Sequence, residues 1–192
     1  TPDPPPPRPG KPHLPMPTHP PPKSTRPVVD LGVPSHEEGA LGLVIKIIVY
    51  VDLRDILTEL GKESPKKARP EVLGGGPVEP SQGFVLFERG ENTIAPEDIA
   101  VSDSLIVSGN TETLAGLALG SNEDVRYFLL LGYSGWYPGQ LEQEIEDNSW
   151  LVAPLDTSIL FDVPMDERWA AALHSIGIDP GTLVDTGSSE PS

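Results

Sequence analysis

The placement of proline constrains this chain more than any other feature. Of 24 Pro in 192 residues, 14 precede Ser35. Proline has no amide donor and a fixed φ, so neither a helix nor a central strand tolerates that density. Residues 1–34 are therefore expected to be a Pro-rich, extended and poorly ordered segment. Pro4 and Pro7, or Pro12 and Pro15, have the PxxP spacing of ligands for proline-binding modules, although a solvated tail explains them as well. The segment carries Arg8, Lys11, Lys23 and Arg26 against Asp3 and Asp30, about +2. The chain as a whole is −16, so the remainder is about −18. A single domain is expected over 35–180, with a flexible tail at 181–192.

Charge and composition narrow the function classes. Lys plus Arg number 13 against 29 Asp plus Glu, and the pI is about 4.4. Nucleic-acid readers usually present a basic face, so direct binding to nucleic acid is disfavoured, as is an anionic membrane surface. Cys is absent, which removes thiolate metal sites, disulfides and cysteine nucleophiles. No apolar run of about 18 residues occurs, and the first 30 residues lack a signal-peptide core, so a cytoplasmic protein is expected.

Hydrophobic patterning predicts an α+β domain. The run from Leu41 to Val49 reads as a strand covered on both faces. Asp52 can cap a helix to about Leu60, with Leu53, Ile56, Leu57 and Leu60 in one stripe. Strands are expected at 84–87, 104–107, 125–131 and 150–153. Asn110 can cap a second helix, with Leu114 and Leu117 inward and Gly120 as its end. Pro138 opens a helix to about Asp147 with Leu141 and Ile145 inward, and Pro164 a last helix with Trp169, Leu173 and Ile176 inward. Strands and helices do not alternate strictly, so adjacent strands can be antiparallel.

Several constellations carry groups that could do chemistry. Gly74-Gly75-Gly76-Pro77 is not followed by the Lys-Ser/Thr of a phosphate loop and reads as a tight turn. His36-Glu37-Glu38 has the groups for a metal or a general base, but no second His stands at ligand spacing on a helix, so an exposed polar turn explains it better. Lys62, Lys66, Lys67 and Arg69 form a small basic cluster that a solvated loop explains. Ser134 lies in an apparent strand-to-helix turn, but Trp136 stands where a nucleophile elbow needs glycine. Glu142, Glu144 and Glu146 read as a solvated acidic face, with Glu142 complementing the helix dipole. Trp136, Tyr137, Trp150 and Trp169 read as core anchors rather than a binding groove.

The stretch GYSGWYPGQLEQEI from Gly132 to Ile145, continued by Asn148-Ser149-Trp150-Leu151-Val152-Ala153-Pro154, closely resembles the signature of the bacterial YqgE/AlgH family. Asp156, Ile159-Leu160-Phe161, Arg168-Trp169 and Gly177-Ile178-Asp179 fit the same pattern, as do Glu38 to Ile45, Gly75 to Val78 and Gly83 to Leu86. Two departures stand out. Lys46-Ile47-Ile48 replaces the family's Asn-Arg-Pro. Residues 12–34 keep nearly the anchor spacing of the family's opening segment but fill it with Pro, His and Thr, and we read them as a frameshifted or otherwise corrupted form of it; an unbroken coding frame would end that reading.

The resemblance implies a compact α+β domain with a bifurcated mixed sheet flanked by helices. It implies regulation of transcription, with no reaction or cofactor common to the family. The acidic balance favours an indirect regulator that binds a protein or small-molecule partner. A non-enzymatic monomer or weak oligomer with no metal and no cofactor is expected. Its expected surface is the Gly132–Gly139 turn, with Tyr133, Ser134, Gly135, Trp136, Gly139, Gln140 and Glu142, because glycine lets a partner approach the backbone. The alternatives are a direct DNA-binding regulator and a hydrolase using Ser134, Glu142 and His36.

Overall fold

The computed structural model describes residues 33–35, 39–63, 70–90, 95–120 and 125–184. The elements run β1 (Val33–Ser35), β2 (Gly39–Gly42), α1 (Leu53–Glu59), β3 (Val72–Gly74), β4 (Val78–Glu88), β5 (Ile99–Ala100), β6 (Leu105–Ser108), α2 (Thr111–Leu119), β7 (Tyr127–Trp136), α3 (Gln140–Glu146), α4 (Thr157–Phe161), a 3-10 turn (Met165–Glu167), α5 (Arg168–Ser175) and α6 (Pro180–Val184). The architecture is α+β, as expected.

The sheet is organised around β7. Its Leu129–Leu131 pairs with β4 antiparallel on one edge and with β3 parallel on the other. Its last residues, Ser134–Trp136, instead pair antiparallel with β2, which carries β1 beyond it. One strand thus serves two sheets, β5-β6-β4-β7-β3 and β1-β2-β7, which makes the sheet bifurcated and mixed.

Both faces of the larger sheet are covered, and the period-2 alternation of strands decides which residue goes where. Leu73, Leu86, Leu105, Val107 and Leu130 face one core with Leu160 of α4. Their neighbours Val72, Val85, Phe87, Ile106 and Leu129 face the other, against Leu53 and Leu57 of α1 and Leu114 of α2. A strand buried on both faces needs no polar alternation, hence the unbroken apolar run in β7.

The predicted caps hold. Asp52 and Asn110 each accept an amide N–H two residues on, at 2.8 Å. Each such cap stabilises its helix by about 1 kcal/mol.

Other expectations are corrected. The run 41–49 is a strand only to Gly42; Leu43 and Ile45 are buried, but beyond Lys46 the chain runs along β3 and leaves Ile47 and Tyr50 exposed. Val33 and Pro34, assigned to the poorly ordered segment, belong to β1. Residues 150–153 form no strand. In α3 neither Leu141 nor Ile145 is buried, and in α5 only Leu173 is buried among the three expected inward residues. The expected tail begins with the helix α6. The frameshift reading of 12–34 falls mostly, and the Pro-rich motifs and His36–Glu38 wholly, outside the described residues, as do Lys66, Lys67 and Arg69.

Candidate functional site

The stretch 132–136, expected as a turn, is strand. Gly132 adopts φ +75° because the chain crosses itself there. The carbonyl oxygen of Gly76 lies 2.4 Å from where a Cβ on Gly132 would stand, and a Cβ on Gly75 would sit 2.2 Å from the Gly132 oxygen. Gly75, Gly76 and Gly132 therefore serve one close backbone crossing rather than a phosphate loop or a partner's approach.

Consequently Tyr133 and Trp136 are sealed, at 2% and 3% exposure. Tyr133 meets Phe84 edge-to-face, and its hydroxyl has no hydrogen-bond partner. Burial pushes its phenol pKa up, and the charge of Glu79 adds to that. Ser134 and Gly135 are half-buried strand residues opposite Gly42 and Leu41.

The turn proper is shorter, at Tyr137–Gln140. Pro138 and Gly139 occupy its centre, Gly139 has φ +78° and ψ −7°, and the Gln140 amide donates to the Tyr137 oxygen at 2.9 Å. These are the signs of a type II turn, which requires a residue that tolerates positive φ at its third position. It delivers the chain into α3, where Glu142 stands exposed in the first turn.

One residue that the sequence reading left on a solvated face gathers this region. Glu144 Oε2 accepts the indole N–H of Trp150 at 2.7 Å and that of Trp136 at 3.1 Å. Its Oε1 accepts the Gln140 side-chain amide at 3.0 Å, while the Gln140 oxygen accepts the Tyr137 backbone N–H at 3.0 Å. The two indoles meet edge-to-face, centroids 5.8 Å apart. Gln140 and Glu144 are i,i+4 neighbours, so they share one side of the helix.

Trp150 reaches Glu144 because the helix ends in a reversal. Asn148 takes φ 57°, its N–H donates to the Ile145 oxygen, and Ser149 donates to the Glu144 oxygen. This is the Schellman closure, in which a left-handed residue turns the chain back along the helix. Asn is among the side chains that tolerate that conformation best.

Around this knot the display is apolar. Tyr137, Ile145 and Leu151 each follow directly a member of the knot, Trp136, Glu144 and Trp150, and each is exposed. Val152, 66% exposed, and Leu155 continue the rim.

A second aromatic assembly sits at the other end of β7. Arg126, Phe161, Phe128 and Arg168 stack in that order, each 5.0 Å from the next. Arg126 also holds Glu88, at 2.6 Å, and Asp162. Arg168 is 5% exposed; it donates to the oxygens of Ile45 (2.9 Å) and Val163 (3.3 Å). Burial lowers its pKa, and the charge of Glu71 works against that.

Elsewhere, a shallow groove of about 460 Å³ between the end of α1 and α2 includes Lys62 and Glu112, which form an ion pair. None of the predicted site residues lines it. His174 is exposed at the end of α5. Among the described residues no group of three His, Cys, Asp or Glu could hold a metal ion.

The residues that build the knot are those of the signature, and a family model described as AlgH-like matches residues 16–181. The chain belongs to the AlgH-like family. A UPF0301 protein of Magnetococcus marinus is 39% identical over 150 residues, covering 78% of this chain and 79% of that protein. One from Anaeromyxobacter dehalogenans is 38% identical over 164 residues, covering 81% and 82%. The solution structure of AlgH from Pseudomonas aeruginosa matches with a TM-score of 0.65 at 32% identity, covering 88% of this chain and 91% of that one. The crystal structure of DIP2367 from Corynebacterium diphtheriae has the same fold, with a TM-score of 0.58 at 22% identity over 83% of this chain and 82% of that one. No helix among the described residues is long and apolar enough to cross a membrane.

Proposed function

We propose that this AlgH-like chain is a non-enzymatic cytoplasmic regulator that acts on transcription indirectly, by docking a partner on the rim around Glu144. The observation that carries this reading is the use made of Glu144. Its carboxylate accepts three hydrogen bonds from Trp136, Trp150 and Gln140, so it fixes the geometry of the region. What the fixed geometry presents outward is Tyr137, Ile145, Leu151 and Val152, an apolar display of the kind that partners cover. The charge of −16 supports an indirect route over direct contact with phosphate backbones.

The test uses exposed rim residues, because truncating buried Trp136 would disturb the fold itself. Leu151→Ser/Val152→Ser and wild-type chains serve as baits for partners. The expected result is loss of specific partners with the variant while circular dichroism and melting stay unchanged. Identical partner sets would contradict the reading. A gel shift at about 150 mM salt completes the test: no shift is expected, and a steeply salt-dependent one would favour the direct DNA reader.

A further inference from the structure

Resting on that reading of the rim, we propose that its occupant is a basic, apolar-faced peptide segment of a partner protein, with lysine or arginine alternating with large apolar side chains. The argument is one of complementarity. From Tyr127 to Glu167 the chain has eight acids and not one Lys, Arg or His. Glu142, Glu146, Asp147 and Asp156 are exposed, and in sequence they fall among the exposed Tyr137, Ile145, Leu151 and Val152.

The knot makes this a surface rather than a list of residues. Trp136 and Trp150 each donate to Glu144, and their rings meet edge-to-face. Consecutive Cα atoms are about 3.8 Å apart, so the exposed residue following each of the three starts beside the same knot. β2 and the end of β7, which both meet α3, contribute no charge there. An acidic partner would be repelled here, and a purely apolar one would desolvate carboxylates without pairing them.

The test measures binding of short fluorescent peptides to the full chain: alternating leucine and lysine, alternating serine and lysine, and alternating leucine and glutamate. The leucine–lysine peptide should bind and the other two should not compete with it. Glu142→Gln/Glu146→Gln should weaken binding roughly threefold to tenfold, the worth of two exposed ion pairs. Asp55→Asn/Glu59→Gln on α1 removes the same charge from another exposed face and should change nothing. Leu151→Ser/Val152→Ser should abolish binding. Equal losses from the two charge variants, or equal affinity for the serine–lysine peptide, would reduce the effect to bulk charge and overturn the proposal. So would self-association of the chain that Leu151→Ser/Val152→Ser abolishes, since a second copy would then occupy the rim. If the peptide fails to bind while the rim variant still loses its partners, the occupant is misassigned and the docking reading stands. If the rim variant keeps both, the docking reading itself falls.

Discussion

The two ends of β7 solve the same problem with opposite charges. At its start, cations lie on ring faces: Arg126 over Phe161, Arg168 over Phe128. At its end, an anion lies at ring edges: Glu144 against the N–H groups of Trp136 and Trp150. Aromatic rings carry negative faces and positive edges, so each ion sits where the ring attracts it. The first assembly fastens α4 and α5 to the strand; it buries Arg168 at its inner end and leaves Arg126 partly exposed at its outer one. The second is built within 15 residues, from Trp136 to Trp150, and remains open to solvent at its rim. Of the two, the second is the one edged by exposed apolar residues, the rim proposed above as a docking surface.

Damage to the buried Arg168 is therefore expected to cost more stability than damage to Glu144. Arg168→Ala removes a buried stack and orphans the carbonyls of Ile45 and Val163, for an expected loss of about 3 kcal/mol. Arg168→Met restores volume without donors and should recover part of that. Glu144→Ala frees two indole N–H groups, one of which can find water at the open rim, for about 2 kcal/mol. Denaturant unfolding of the three variants ranks them; a greater loss for Glu144→Ala than for Arg168→Ala would reverse the comparison.

A smaller effect sharpens it through pH. The Arg126 guanidinium holds the Glu88 carboxyl below the usual carboxylate range. A depressed folded pKa means that the pair's contribution is present above the unfolded value of about 4.3 and is lost as pH falls through the folded one. The pair is partly exposed, so its worth is under about 1 kcal/mol. Wild type should therefore lose stability relative to Glu88→Gln between about pH 5 and pH 3, and parallel melting curves would show that the pair contributes nothing.

How much of this was legible depended on sequence distance. Asp52, Asn110 and the Pro138-Gly139 turn announce themselves, because a cap or turn needs only its own neighbours. Gly132 misled: a glycine beside Tyr133-Ser134-Gly135 looks like a turn, whereas it is a kink inside a strand imposed by Gly76, far away in sequence. Glu144 was hidden by the Asn148 reversal, without which Trp150 would point down an extended chain and the acid would indeed face solvent. Its i,i+4 relation to Gln140 and its place between two tryptophans were the available signals. Arg168 fitted the family pattern but gave no signal of its burial, since Phe128 and Ile45, its partners, are brought to it only by the completed sheet.

The most direct measurement of the central claim is the indole N–H spectrum of the protein, which has 3 Trp. With Glu144 holding two of them, the Trp136 and Trp150 resonances should be protected from exchange and should both move in Glu144→Gln, while Trp169 stays in place. Three indole signals unmoved by Glu144→Gln would show that the carboxylate does not bind them, and the rim would lose the frame on which its proposed function stands.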